Sequence, residues 1–171
     1  MLELADEIEI TTQMGRKARC VVAIAARCPQ GHPSVITCYP LRRKGNRLMP
    51  FPTLYWLTCP RLAKELSHLE RDGAIAAIGA ELARDPAMQA ILRRNHEDYI
   101  ARRWATLSAE DQLLIFGSEL AEFFQTRGIG GIANFAAVKC LHLHFAHHLV
   151  SGNVLGELLA RRYGVRPCGA R

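Results

Sequence analysis

Between residues 19 and 58 the hydrophobic positions cluster in short runs rich in β-branched side chains, and beyond residue 61 they recur every three or four residues. The first pattern belongs to strands and the second to helices. RCVVAIAARC at 19–28 and SVITCYPLR at 34–42 are separated by the turn-forming PQGHP, so the pair is expected to form a β-hairpin. PFPTLYWLTCP at 50–60 has an extended entry set by its prolines, strand character in TLYWLT and a stop at Cys59-Pro60. Pro60 suits the first turn of a following helix, because that turn leaves its N–H groups unpaired in any case. Helices are then expected over RLAKELSHLERDG, ending at Gly73, over AIAAIGAELARD, ending before Pro86, and over AMQAILRRNHEDYIARRWATL, running to about Leu107.

Ser108, with Asp111 three residues on, is a candidate cap for a helix over DQLLIFGSELAEFFQTR, which stops in the glycine cluster GIGG. Further helices are expected over IANFAAVKCLHLHFAHHLV and VLGELLARRYG, separated at SGN. Residues 2–14 fit a short amphipathic helix, although IEITT has strand-like residues, and RRKGNR at 42–47 has the composition of a solvated basic loop. The fold class is therefore α+β. A small N-terminal β-sheet, the hairpin plus the strand before Cys59, is expected to pack against a mostly helical C-terminal two-thirds in a single domain over residues 1–171.

Composition changes this picture little. With 49% hydrophobic and 22% charged residues the chain is of globular type, neither disordered nor fibrous. The acidic start MLELADEIEI is unlike a secretory signal, and the apolar run CVVAIAA is far too short to span a membrane, so a cytoplasmic location is expected, with no membrane partner. The net charge of +6 is distributed over Arg16–Arg19, Arg42–Arg47, Arg102–Arg103 and the C-terminal arginines. Such an excess can attract nucleic acid or a phosphorylated ligand, but no nucleic-acid-reading motif accompanies it.

The six cysteines change the picture more. In a reducing compartment they are poor candidates for structural disulfides and must be core residues, reactive thiols or metal ligands. Cys59 is expected just ahead of a helix N-terminus, where the macrodipole and free amides favour a thiolate. Cys28-Pro29, Cys59-Pro60 and Pro167-Cys168 place cysteine beside proline, as iron–sulfur and other metal loops do. There is no C-x-x-C pair, so any metal site must draw its ligands from distant segments.

The richest stretch is KCLHLHFAHHL. On a helix, Cys140, His144 and His147 would share one face, while His142 would point elsewhere. GIGG lacks the Lys-Ser/Thr of a phosphate loop and follows a helix, so it is a helix stop, and there is neither a Gly-x-Ser-x-Gly elbow nor a His-Glu-x-x-His. Asn95–Tyr99 has the composition of a solvated helix face, and Tyr55 and Trp56 that of core.

The segments ARCPQGHPSVI, PFPTLYWLTCPRL, HLERDG, KCLHLHFAHHL and GNVLGELL, with a terminal Pro-Cys, resemble the bacterial family catalogued as domain of unknown function 501. The resemblance covers nearly the whole chain, and PFPTLYWLTCP and KCLH are its most specific parts. It implies a small soluble cytoplasmic bacterial protein whose motif residues are Cys28, Cys59, Cys140, His142, His147 and Cys168. It promotes His142 over His144, at odds with the one-face argument: either the helix starts later than expected, leaving Cys140 and His142 in an extended turn, or the two histidines serve different roles. It also leaves Cys20 and Cys38, inside the expected strands, as core.

The leading expectation is a metal site assembled from Cys59, Cys140 and Cys168, with Cys28 or a histidine such as His147 as a fourth ligand. Four thiolates would suit an iron–sulfur cluster or a closed zinc site, and three with an open position would suit Lewis-acid chemistry on a small molecule. The Cys-Pro context favours iron–sulfur over zinc, and redox or sulfur chemistry would follow. Lys139 and His142 are the nearest candidates for binding an anion or moving a proton. Two alternatives stay open: a metal-free module holding RNA or a phosphorylated ligand on the basic loops and C-terminal arginines, and a thiol enzyme with Cys59 as nucleophile and His142 or His147 as base.

Overall fold

The computed structural model describes residues 2–45 and 47–169. Strand β1 (Val21–Arg27) and strand β2 (Pro33–Cys38) form the expected antiparallel hairpin, with Ile24 opposite Ile36. The strand before Cys59, Tyr55–Leu57, pairs antiparallel with the other edge of β2, so β2 is central. Between them RRKGNR is no loop. Leu41–Lys44 (β3) pairs with Arg47–Pro50 (β4) as a second antiparallel hairpin, which makes Tyr55–Leu57 β5. Gly45 has φ +57°, a left-handed conformation that glycine adopts without a Cβ clash, and this lets the chain reverse where composition alone suggests only solvation.

The central strand of the three-stranded sheet, β2, is buried on both faces, and the alternation along the strands sorts the side chains. Val35, Tyr55 and Leu57 join the main core, whereas Ile36 and Cys38 pack with Ile10 and the half-buried Trp56 under the N-terminal helix α1 (Leu4–Met14). The strand-like IEITT is helical because Ile10 finds this apolar face, and the Thr12 hydroxyl is satisfied by the Ile8 carbonyl.

Helix α2 (Pro60–Arg71) starts at Pro60 as expected, with Cys59 in the capping position. Helices α3 (Ala74–Leu82) and α4 (Pro86–Ala105) follow, α4 capped by the Asp85 carboxylate on the Met88 N–H. The buried stripe of α4 runs through Met88, Leu92, His96, Tyr99 and Arg103, so three polar side chains enter the core. Each is used. His96 Nδ1 accepts from the Ile129 N–H, Tyr99 accepts from the Leu54 N–H and donates to the Pro52 carbonyl, and Arg103 donates to the carbonyls of Phe123, Phe124 and Arg127.

Ser108 caps α5 (Ala109–Phe116) on the Asp111 N–H as expected, but the helix expected to run on to Arg127 is broken at Gly117-Ser118. The Ser118 hydroxyl donates to the Ile115 carbonyl and accepts from the Leu120 N–H, which ends α5 and restarts the chain as α6 (Leu120–Thr126). The glycine cluster forms a 3₁₀ turn at Ile129–Gly131.

The larger departure is at 132–140, which is not helical. Asn134 turns the chain through its side chain on the Ala136 N–H, and α7 begins only at Leu141 and runs to Ser151. Helix α8 (Val154–Tyr163) follows, capped by Asn153. Helix α7 packs against the sheet, α2 and α8, and so lies at the centre of the core.

At Gly156 helix α8 lies tight against α7, since a methyl group there would overlap the His148 side chain. Gly156→Ala should cost about 1–3 kcal/mol by overpacking. Gly79→Ala, with no atom within 4 Å of the added carbon, should be neutral or stabilising in urea denaturation. Equal midpoints for the two variants would contradict this packing.

Candidate metal centre

The late start of α7 decides which chemical groups meet. Cys140 is extended (φ −155°, ψ 122°), and it precedes a helix whose first N–H, that of Leu141, donates to Glu70 Oε1 on α2 at 2.6 Å. The same carboxylate oxygen lies 3.1 Å from His142 Nδ1, and Cys140 Sγ lies 3.7 Å from that nitrogen. One oxygen, one sulfur and one nitrogen thus converge, all within 4.8 Å of one another and all half-buried. The far side of the ring is held as well: His142 Nε2 faces the Ala63 carbonyl at 3.0 Å and the Ser67 hydroxyl at 3.2 Å.

This is not a proton-relay triad. A relay places the thiol on one ring nitrogen and the carboxylate on the other, whereas here both face Nδ1. With Nε2–H donated to a backbone carbonyl, the Nδ1 lone pair is directed at the thiol and the carboxylate, as in a metal-ligating histidine oriented from behind. Without a metal the ring is best protonated. Its pKa is raised to about 9 by the hydrogen bond with Cys140, by the Ala63 carbonyl and by Glu70, against the cost of burial.

The other residues expected at a metal site lie elsewhere. Cys59 and Cys168 form a thiol pair with sulfurs 3.5 Å apart at the N-terminus of α2. Glu70 sits at the other end of that helix, about 16 Å away at 1.5 Å per residue. The expected grouping of Cys59, Cys140 and Cys168 is therefore divided between two places, because α2 holds its two ends apart. Arg61 Nε donates to Cys168 Sγ at 3.1 Å, which lowers the Cys168 pKa, while burial raises that of Cys59.

Cys28 opens the β1–β2 turn, its N–H on the His32 carbonyl, and the C-terminal tail passes over that turn at Gly169. Lys139 donates to the Gly130 carbonyl. His144 and His147 share a helix face, as the spacing implies, but that face is core. Cys140 is not on it, being ahead of the helix, and both imidazoles lie against Asn153, with His96 edge-on to His144.

All three converging ligands fall inside residues 24–161, the stretch over which the family described as "Protein of unknown function (DUF501)" matches. The chain belongs to that family. No curated protein and no solved structure matches it. Within this DUF501 chain no described helix is long and apolar enough to cross a membrane. Cys20 and Cys168 lie outside the stretch matched to DUF501.

Two parts of this DUF501 chain escape sequence reasoning. Glu70 sits in HLERDG, which reads as an ordinary helix end, and nothing in local spacing links it to a cysteine seventy positions later. Cys20 and Cys38 read as strand residues, yet their sulfurs are 2.9 Å apart and Cys20 lies just before β1. The Cys59–Cys168 pair carries its own prediction. Mild oxidation with a soluble disulfide should cost both thiols together and tie the C-terminal tail to α2, and Cys168→Ser should leave Cys59 unreacted at neutral pH. Thiol titration with peptide mapping would read this, and independent oxidation of the two would contradict the pairing.

Proposed function

We propose that the protein binds one divalent transition-metal ion, zinc in the first instance, through Glu70 Oε1, Cys140 Sγ and His142 Nδ1. The observation that carries this reading is the convergence of three unlike ligand atoms on one point, with the imidazole held from behind by Ala63. A mixed oxygen, nitrogen and sulfur set suits zinc better than an iron–sulfur cluster, which calls for several thiolates. Among the described residues Cys140 is the only thiol in that group.

Three protein ligands leave one tetrahedral position for water or substrate, the arrangement of catalytic zinc sites, and a metal held there would polarise a bound carbonyl or lower the pKa of a bound water. The chain's own part is to orient the ligands. Ala63 and Ser67 fix the His142 ring, and Glu70 both caps α7 and supplies a carboxylate. Titrating metal-free, reduced protein with zinc against a chromophoric chelator should give one equivalent of tight binding. No stoichiometric uptake of zinc, iron(II) or cobalt(II) would overturn the reading.

A further inference from the structure

The basic residues that sequence reading scatters over separate loops meet in one concavity. The turn joining α1 to β1 brings Arg16, Lys17 and Arg19 to one wall, and β3 brings Arg42, Arg43 and Lys44 to the other. The cleft has a volume of about 860 Å³, the scale of a small-molecule site, and neither Asp nor Glu lines it. Arg43 is paired with Asp111 outside it. Among the described residues, Arg16, Lys17, Arg19, Arg42 and Lys44 have no carboxylate partner.

Aromatic rings hold two of these cations without neutralising them. The Arg16 guanidinium lies 5.4 Å from the Trp56 ring centroid, and that of Arg42 lies 3.8 Å from the ring centroid of Phe51. Cations gathered on facing walls repel one another, and a fold that keeps them unpaired leaves that repulsion for an anion to relieve. Cys20, which lines the cleft, has its pKa lowered to about 6, first by the hydrogen bond shared with Cys38 and, against the cost of burial, by the charge of Arg42.

We propose that this cleft is a binding site for a small ligand bearing a diphosphate or triphosphate group, clasped between Arg16, Lys17 and Arg19 on one wall and Arg42 and Lys44 on the other. Cations from two separate segments match a ligand whose charges are spread over successive phosphates, and the bounded volume of this half-open cleft suits a small molecule, whereas a long nucleic acid needs an extended basic track. Of the C-terminal arginines that an RNA reading would enlist, Arg162 is paired with Glu81. The site is separate from the Glu70–Cys140–His142 centre and does not depend on it.

Calorimetric titration at low salt with inorganic pyrophosphate and with adenosine triphosphate tests this, alongside a single-stranded RNA oligonucleotide. Pyrophosphate should bind one to one, Arg16→Ala and Arg42→Ala should each weaken it about tenfold, and bound ligand should slow alkylation of Cys20 by iodoacetamide. Cys140→Ser should leave the affinity unchanged, and unaltered melting of the arginine variants would show that the fold survives. Binding that is indifferent to Arg16 and Arg42, or lost in Cys140→Ser, would overturn the proposal. So would binding of RNA alone with a steep salt dependence.

Discussion

Lowering the pH from about 7 to about 5 is expected to remove a large part of the protein's stability, because three histidines are built into its core in the neutral form. His96 and His147 are 0% exposed and His144 is 1% exposed. Burial holds His96 at about 4 and His144 at about 3, the charges of neighbouring imidazoles adding to the effect, and it lowers His147 despite the nearby Asp98 carboxylate. In the unfolded chain each would take up a proton near pH 6.5. Below that pH the unfolded state binds more protons than the folded one, so stability falls with pH until the folded-state values are reached.

At about pH 5 His96 and His144 together remove on the order of 4 kcal/mol, a large part of the 5–15 kcal/mol or so that holds a domain folded. Above about pH 6.5 they add no pH dependence. His142 acts in the opposite sense. Its raised value of about 9 means that its ion pair supports the fold fully below about pH 6.5 and fades as the pH climbs through 9. Urea denaturation read by circular dichroism along a pH series would follow this loss, and His144→Gln should remove about one proton from the uptake that accompanies unfolding. Stability unchanged down to about pH 4 would contradict the buried neutral trio.

Cys140→Ser and His142→Ala are each expected to weaken zinc binding about a hundredfold or more, since each deletes one of only three protein ligands. Glu70→Gln is the informative companion. Its amide oxygen can still accept from the Leu141 N–H and so preserve the start of α7, while the ligand charge is lost. If Glu70, Cys140 and His142 serve only to cap a helix, Glu70→Gln will be silent in the metal titration and Cys140→Ser will change melting alone. A metal must also displace the His142 proton. Between about pH 9 and pH 7 the affinity should therefore fall about tenfold per unit, with proton release measurable in weakly buffered solution.

The hairpin of β1 and β2, the strand before Cys59, the start of α2 at Pro60 and the Ser108 cap were all legible in the chain. Each rests on forces acting within a few residues: β-branched crowding, the fixed φ of proline, or a hydroxyl reaching an amide three positions on. The shared face of His144 and His147 was legible for the same reason, since helical period alone sets it. Their surroundings were not. That face became core because His96 of α4 and Asn153 pack against it.

The start of α7 could not be read locally either, because IANFAAVKC is as apolar and periodic as a helix. The Asn134 turn and a carboxylate seventy residues upstream decide it. The site follows from that decision. Residue type marked Cys140 and His142 as reactive, but only the packing of α2 along α7 brings Glu70 to them and leaves Cys59 and Cys168 at the far end of the helix. The cationic cleft is likewise made by two segments meeting. By itself the sequence determined which elements form and which residues could do chemistry, because dihedral preference and side-chain chemistry are carried by the residue and its neighbours. Tertiary structure alone decided which of those residues stand within bonding reach, because burial of apolar faces, not any local force, sets the distances between segments remote along the chain.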